Sequence, residues 1–166
     1  GYLEYDSGQK SKIQIECKEC EGTGFNKLLK KFKINQCNIF DIWNMTIDEA
    51  LYFFKDIDLK IEQCLIDSSS LLLGHLKIGQ PIYSLSGGEN VRIKILKSSK
   101  SIANVLGIDE PFKGLNNAEI FSVVKYIDNL RSKGKTIVVI DHTEIAKQYF
   151  PIVIQLINKN SILTMS

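Results

Sequence analysis

Two adjacent carboxylates, Asp109 and Glu110, close the mostly apolar run Ile102-Ala-Asn-Val-Leu-Gly-Ile108 and are followed by Pro111. Carboxylates at the C-terminal end of a buried parallel strand stand where α/β sheets place their ligands. There Asp109 can hold Mg²⁺, directly or through water, and Glu110 can orient or deprotonate the water that attacks a phosphate. A second apolar run, Thr136-Ile-Val-Val-Ile140, reads as another buried strand and ends in Asp141-His142. An imidazole emerging at the same sheet edge can hydrogen-bond a phosphate oxygen. Singly, each has a structural reading, the Asp as a helix cap and the His as a surface residue; their order and shared edge favour chemistry.

Leu85-Ser-Gly-Gly-Glu89 precedes a helical run, Asn90 to Lys97. Ser86 and Glu89 have the spacing of a capping box. That accounts for neither glycine: Gly87 and Gly88 remove side chains where the helix begins and open its N–H groups and positive dipole end to an anion. The only Gly-Lys-Thr, at Gly134 to Thr136, is not a phosphate-binding loop, because Asn129 stands where the first glycine is required. The order is reversed as well. The spacing Ile120, Val124, Ile127, Leu130 predicts a helix before the motif, capped by Asn116 or Asn117, and a strand follows it. Gly134 is then the glycine that ends the helix.

Cys17-Lys-Glu-Cys20-Glu-Gly-Thr-Gly24 spaces two thiols three residues apart before glycines that let the backbone fold back. This is half of a tetrahedral zinc site, with a metal-free pair on a turn as the alternative. His75 and Cys37 offer no matching second pair. The lysine-rich run Lys27 to Lys33 can contact phosphate backbone or form a solvated face.

These groups need a scaffold. The chain has 166 residues, 44% hydrophobic and 24% charged with net charge +2, enough for a real core and too balanced for a global field toward nucleic acid or acidic membrane. Arginine occurs only at 92 and 131. No apolar run spans a bilayer and no secretory leader is present, so a soluble cytoplasmic protein is expected. Thr46 and Glu49 form another capping box, with Ile47, Leu51 and Phe54 on one face of the following helix; a second helix is predicted over Ile57 to Ile66, and Gly74 and Gly79 bracket a turn. Ile152 to Thr164 reads as two short strands around Asn158 to Asn160.

The ordered set resembles the ATP-binding cassette (ABC) ATPases: Leu85 to Glu89 is similar to the signature motif, Val105 to Glu110 to the Walker B strand, and His142 to the switch histidine. Leu73 to Glu89, Cys17 to Gly24 and Met45-Thr-Ile-Asp-Glu-Ala-Leu51 resemble one branch more closely, the second nucleotide-binding half of UvrA, the damage-recognition subunit of nucleotide excision repair. The fold implied is α/β: a partial ABC-type sheet with helices on both faces, a small helical subdomain and an N-terminal Cys-knuckle segment. The implied divisions are 1–40 for the knuckle, 41–80 for the helical subdomain and 81–166 for the C-terminal part of the ATPase domain.

By the resemblance, Ser86, Gly87, Gly88 and Glu89 face the γ-phosphate of ATP held by the P-loop of a different half. Asp109 (Mg²⁺), Glu110 and His142 serve the site whose P-loop belongs to their own half, outside this chain. Cys17 and Cys20 pair with zinc ligands on the N-terminal side, before Gly1, so the chain reads as the C-terminal piece of something longer. The implied function is ATP hydrolysis that drives DNA-damage recognition, with DNA, a missing N-terminal half, a homodimer partner and other repair subunits as partners. The alternatives are a resistance or ribosome-associated ATPase, and a non-catalytic zinc-stabilised interaction module. Departures from the family pattern point to a diverged paralogue. Phe112-Lys-Gly-Leu-Asn116 replaces Thr-Thr-Gly-Leu-His, Asp141 replaces Glu, Gly107 interrupts the Walker B strand, and the glycine-rich tail is absent.

Overall fold

The computed structural model of the chain describes residues 2–6, 12–159 and 162–165. The chain divides into two compact units, residues 1–69 with 73–85, and residues 70–72 with 86–166.

The first unit opens with an antiparallel pair, β1 (Tyr2–Asp6) and β2 (Lys12–Glu16), with Tyr2 opposite Glu16. A 3₁₀ turn at Lys27–Lys31 leads to helices α1 (Ile39–Asn44), α2 (Ile47–Phe54) and α3 (Leu59–Ser70). Capping boxes start α1 (Asn38 with Asp41) and α2 (Thr46 with Glu49), each satisfying backbone donors that helix geometry leaves without a partner. The third helix starts two residues later than the apolar spacing predicts. Its entry is set by the Asp58 carboxylate, which accepts the N–H groups of Lys60 (2.8 Å) and Ile61 (3.0 Å). Phe40, Ile42, Ala50, Leu65, Leu73 and Leu76 form the core. A side chain at Gly79 would run into the Trp43 indole, which itself meets Phe25 edge-on at 5.1 Å.

The second unit contains α4 (Gly87–Ser99), β3 (Val105–Asp109), α5 (Asn117–Ser132), β4 (Thr136–Ile140), a 3₁₀ turn at Glu144–Tyr149, and the antiparallel pair β5 (Leu156–Lys159) and β6 (Ile162–Met165). The turn expected around Asn158 to Asn160 lies partly outside the described residues. β3 and β4 run parallel, from Val105 opposite Thr136 to Asp109 opposite Ile140, with α5 as the crossover. α5 buries Ile120, Val123, Val124, Tyr126, Ile127 and Leu130; burying each large aliphatic side chain stabilises by roughly 1.5–3 kcal/mol relative to exposure. The Tyr126 hydroxyl donates to Ser99 Oγ (3.1 Å) and ties α5 to α4.

Three expectations change here. β3 begins at Val105 rather than Ile102, because Lys135 Nζ donates to the carbonyls of Ser101 (2.7 Å) and Ala103 (2.8 Å) and holds that stretch as a loop. Gly107 does not interrupt the strand, since its backbone pairs with Val138 in register. The strands are also not buried on both sides. Leu106, Ile108, Ile137 and Val139 share the covered face, whereas Val105, Val138 and Ile140, on the other, are exposed by more than half. Parallel sheets ordinarily have both faces covered, and among the described residues only one face of this pair is.

Candidate functional site

Because β3 and β4 are parallel and in register, the residues that follow them leave the same end of the sheet. Glu110 N–H donates to the Ile140 carbonyl (2.8 Å), extending the ladder one residue past the strand, and the chain then breaks away with Glu110 in the left-handed region (φ +47°). A non-glycine residue held there carries strain of the kind found where side chains are aimed at ligands. One Glu110 oxygen lies 3.4 Å from His142 Nε2 and the other 2.9 Å from Lys113 Nζ. The Lys113 hydrogen bond and charge, aided by His142, hold the Glu110 carboxyl below the usual glutamate range. Glu110 is therefore ionised near neutrality and able to accept a proton or orient a water.

Glu110 and His142 are thus brought together at this edge, Asp109 is placed one residue earlier as the last residue of β3, opposite Ile140, and one organiser was not foreseen. Asp141 Oδ2 accepts the N–H of Phe112 (3.1 Å) while its Oδ1 accepts that of Thr143 (2.8 Å). One carboxylate so clamps the turn after β3, which follows Glu110, to the turn after β4, which carries His142. Pro111 and Phe112 are fully buried behind it. A 29-residue separation gives no sequence signal for such a contact.

α4 begins at Gly87, where Ser86 Oγ accepts the Glu89 N–H (3.2 Å) and the Glu89 carboxylate accepts the Ser86 N–H (2.7 Å). The Gly87 and Gly88 amides are the first-turn donors that neither the box nor the helix ladder uses. The two glycines differ. A Cβ at Gly87 would meet nothing within 4 Å, whereas one at Gly88 would stand 3.1 Å from Arg92 Nη1 and 3.3 Å from the Lys113 carbonyl oxygen. Gly88 therefore has a packing reason, the close approach of α4 to the turn after β3, beyond the open helix end that its sequence position implies. Arg92 is 6% exposed, and its Nε has no hydrogen-bond partner among the described residues. Burial depresses its pKa, and the charges of Glu89 and Glu119 oppose that.

Lys135, the lysine of Gly-Lys-Thr, is committed to the Ser101 and Ala103 carbonyls at the opposite end of the sheet from Glu110. Gly134 (φ +89°) follows the C-cap Lys133 of α5, a left-handed position that glycine occupies without strain. Helix before and strand after is the reverse of a phosphate-binding loop.

Cys17 and Cys20 sit on a turn closed by the bonds Glu21 N–H to Cys17 O (2.8 Å) and Thr23 N–H to Cys20 O (3.0 Å), with Glu21, Gly22 and Gly24 at positive φ. The Cys20 backbone N–H is the largest of the hydrogen bonds that lower the Cys17 pKa. The described residues nevertheless include no group of three or more His, Cys, Asp or Glu side chains able to hold a metal, so the two thiols by themselves fall short of a zinc centre. Mg²⁺ is a different case. It is commonly held by one or two carboxylates with phosphate oxygens and water completing the shell, and Asp109, the last residue of β3, offers one such carboxylate. In the lysine-rich run, Lys30 is bonded to both Glu21 oxygens (3.0 Å) and lies 4.6 Å from the Phe40 ring centre, while Lys31 and Lys33 are exposed.

A parallel strand pair ending in Asp-Glu and Asp-His, joined by a helix and preceded by a capped Gly-Gly helix, defines a partial ABC-type ATPase sheet. The chain of the archaeal aP1–aABCE1 complex shares this fold, with TM-score 0.54 and 21% identity over 74% of this chain and 23% of that one. UvrA2 from Deinococcus radiodurans is more similar, with TM-score 0.74 and 29% identity over 89% of this chain and 19% of that one. No protein-family model matches the chain. UvrABC system protein A of Clostridium perfringens is 35% identical over 145 residues, 86% of this chain and 15% of that protein. The Rickettsia bellii protein of the same name is 37% identical over 133 residues, 78% of this chain and 14% of that protein. The chain belongs to the UvrA family of ABC ATPases, and it spans about one seventh of the length of the curated relatives it matches. No helix among the described residues is long and apolar enough to cross a membrane.

Proposed function

We propose that this chain supplies the hydrolytic carboxylate edge and the signature helix of a UvrA-like ATPase that uses ATP and Mg²⁺ to drive DNA-damage recognition in nucleotide excision repair. The observation that carries the reading is the Glu110–His142 contact at 3.4 Å beside Asp109, at one end of a parallel strand pair in a UvrA-family chain. Asp109 takes the Mg²⁺, Glu110 orients and deprotonates the attacking water, and His142 hydrogen-bonds the phosphate that is cleaved. The unused Gly87 and Gly88 amides, with Ser86 and Glu89 shaping the helix end, receive the phosphate of a nucleotide bound to another nucleotide-binding half. The P-loop, the second pair of zinc ligands that would complete Cys17 and Cys20, and the DNA-binding surface belong to parts of the assembly beyond these residues. A homodimer partner brings the signature helix and the phosphate together. The three divisions, knuckle 1–40, helical 41–80 and ATPase 81–166, follow from this assignment.

The test is ATP turnover in the full natural polypeptide with Glu110→Gln. Loss of a positioned general base costs about 10²–10⁴-fold, so turnover falls by that factor while nucleotide binding persists. A Glu110→Gln protein that hydrolyses ATP within a few-fold of the parent overturns the assignment.

A further inference from the structure

One buried charge has no part in the chemistry assigned so far. Arg92 is 6% exposed, and its Nε has no hydrogen-bond partner among the described residues; a guanidinium out of water is costly unless neighbouring groups offset its lost hydration. Arg92 stands four residues after Gly88, one turn along the same face of α4, and helical side chains lean toward the N-terminus. Its guanidinium therefore reaches back to the helix start, where Nη1 and the Lys113 carbonyl oxygen lie 3.1 and 3.3 Å from the place a Gly88 Cβ would take. The opposite charges that act on it come from two helix starts, Glu89 in the first turn of α4 and Glu119 in the first turn of α5. Both carboxylates are fixed, accepting the N–H groups of their own N-caps, Ser86 (2.7 Å) and Asn116 (2.8 Å). The turn from Glu110 to Asn116 is closed on itself, with Lys113 N–H donating to the Glu110 carbonyl (3.4 Å) and Leu115 N–H to the Phe112 carbonyl (3.1 Å). A shift of Lys113 or of the α5 start is thus passed on to Glu110.

We propose that Arg92 is a positioning residue whose buried guanidinium braces the start of α4 against the turn after Glu110 and the start of α5, holding the Gly87 and Gly88 amides at a fixed spacing from the Glu110 carboxylate. The inference rests on the reading of Glu110 as the general base and deepens it. Those amides serve a nucleotide on another half, and Glu110 serves the nucleotide of its own, so one buried charge ties two nucleotide sites together without touching either nucleotide.

The experiment is steady-state ATP turnover in the full natural polypeptide for the parent, Arg92→Met, Arg92→Lys and Glu110→Gln, with bound nucleotide counted by equilibrium dialysis. A role confined to stability lowers the number of nucleotide-binding molecules and leaves turnover per bound nucleotide at the parental value. Misplacing catalytic groups by about 1 Å costs up to about a hundredfold. Arg92→Met therefore loses about ten- to a hundredfold in kcat with KM within about twofold of the parent, and Arg92→Lys, which keeps the charge, recovers about threefold or more of that loss. If Glu110→Gln loses turnover while Arg92→Met turns over each bound nucleotide as the parent does, the positioning role is overturned and the assignment of Glu110 stands. Arg92→Lys no faster than Arg92→Met overturns it too, since the charge is then not the brace. If Glu110→Gln turns over ATP as the parent does, the base assignment fails and the inference fails with it. An Arg92→Met protein that binds no nucleotide is replaced by Arg92→Gln, for which the same results are expected.

Discussion

Replacing Asp141 by alanine removes an acceptor that serves two backbone donors on different turns, Phe112 N–H at 3.1 Å and Thr143 N–H at 2.8 Å. Both bonds are part-buried and charge-assisted. Phe112 is 2% exposed, so water reaches its amide poorly once the carboxylate is gone. An unsatisfied part-buried N–H costs about 1–3 kcal/mol. With the more accessible Thr143 amide at the low end and the Phe112 amide in mid-range, the expected destabilisation is about 2–4 kcal/mol. Asp141→Asn retains one acceptor oxygen but turns an NH₂ toward the second donor, so it should lose about half as much. Urea unfolding followed by far-UV circular dichroism measures the loss as a lower midpoint at unchanged slope. Amide hydrogen exchange locates it, with faster exchange at Phe112 and Thr143 than at Val123 on α5. A loss below about 0.5 kcal/mol, the range of an ordinary surface substitution, would refute the clamp.

The two glycines of the signature helix separate in a second comparison. Gly88→Ala, whose new methyl would meet Arg92 and the Lys113 carbonyl, should destabilise by about 1–3 kcal/mol through overpacking, while Gly87→Ala stays within about 0.5 kcal/mol of the parent in thermal unfolding; equal effects at the two positions would contradict the packing described for Gly88. Lys135→Met should lose about 1–2 kcal/mol from two hydrogen bonds to the Ser101 and Ala103 carbonyls and leave nucleotide affinity of the full polypeptide unchanged by equilibrium dialysis, whereas a tenfold loss of affinity would restore Gly134 to Thr136 as a phosphate loop.

Features that depend on residues a few positions apart could be read from the chain. The boxes at Thr46–Glu49 and Ser86–Glu89, the strand Thr136–Ile140 and the glycine end of α5 involve partners within one helical turn or a run of one residue type, so spacing and propensity settle them. The common edge of Glu110 and His142 was legible for a related reason, because a strand, a crossover helix and a second strand leave a parallel pair few alternatives. Contacts across long separations could not be read in this way. Lys135 reaches back 34 and 32 residues to set the start of β3, and Asp141 reaches back 29 to hold the turn after it. Nothing local marks either partner, since a lysine after a glycine and an aspartate at a strand end have many uses. The uncovered sheet face was hidden for the opposite reason: Val105, Val138 and Ile140 are apolar in type, and apolar type records what a residue can bury against, while its exposure depends on which other elements are present to cover it.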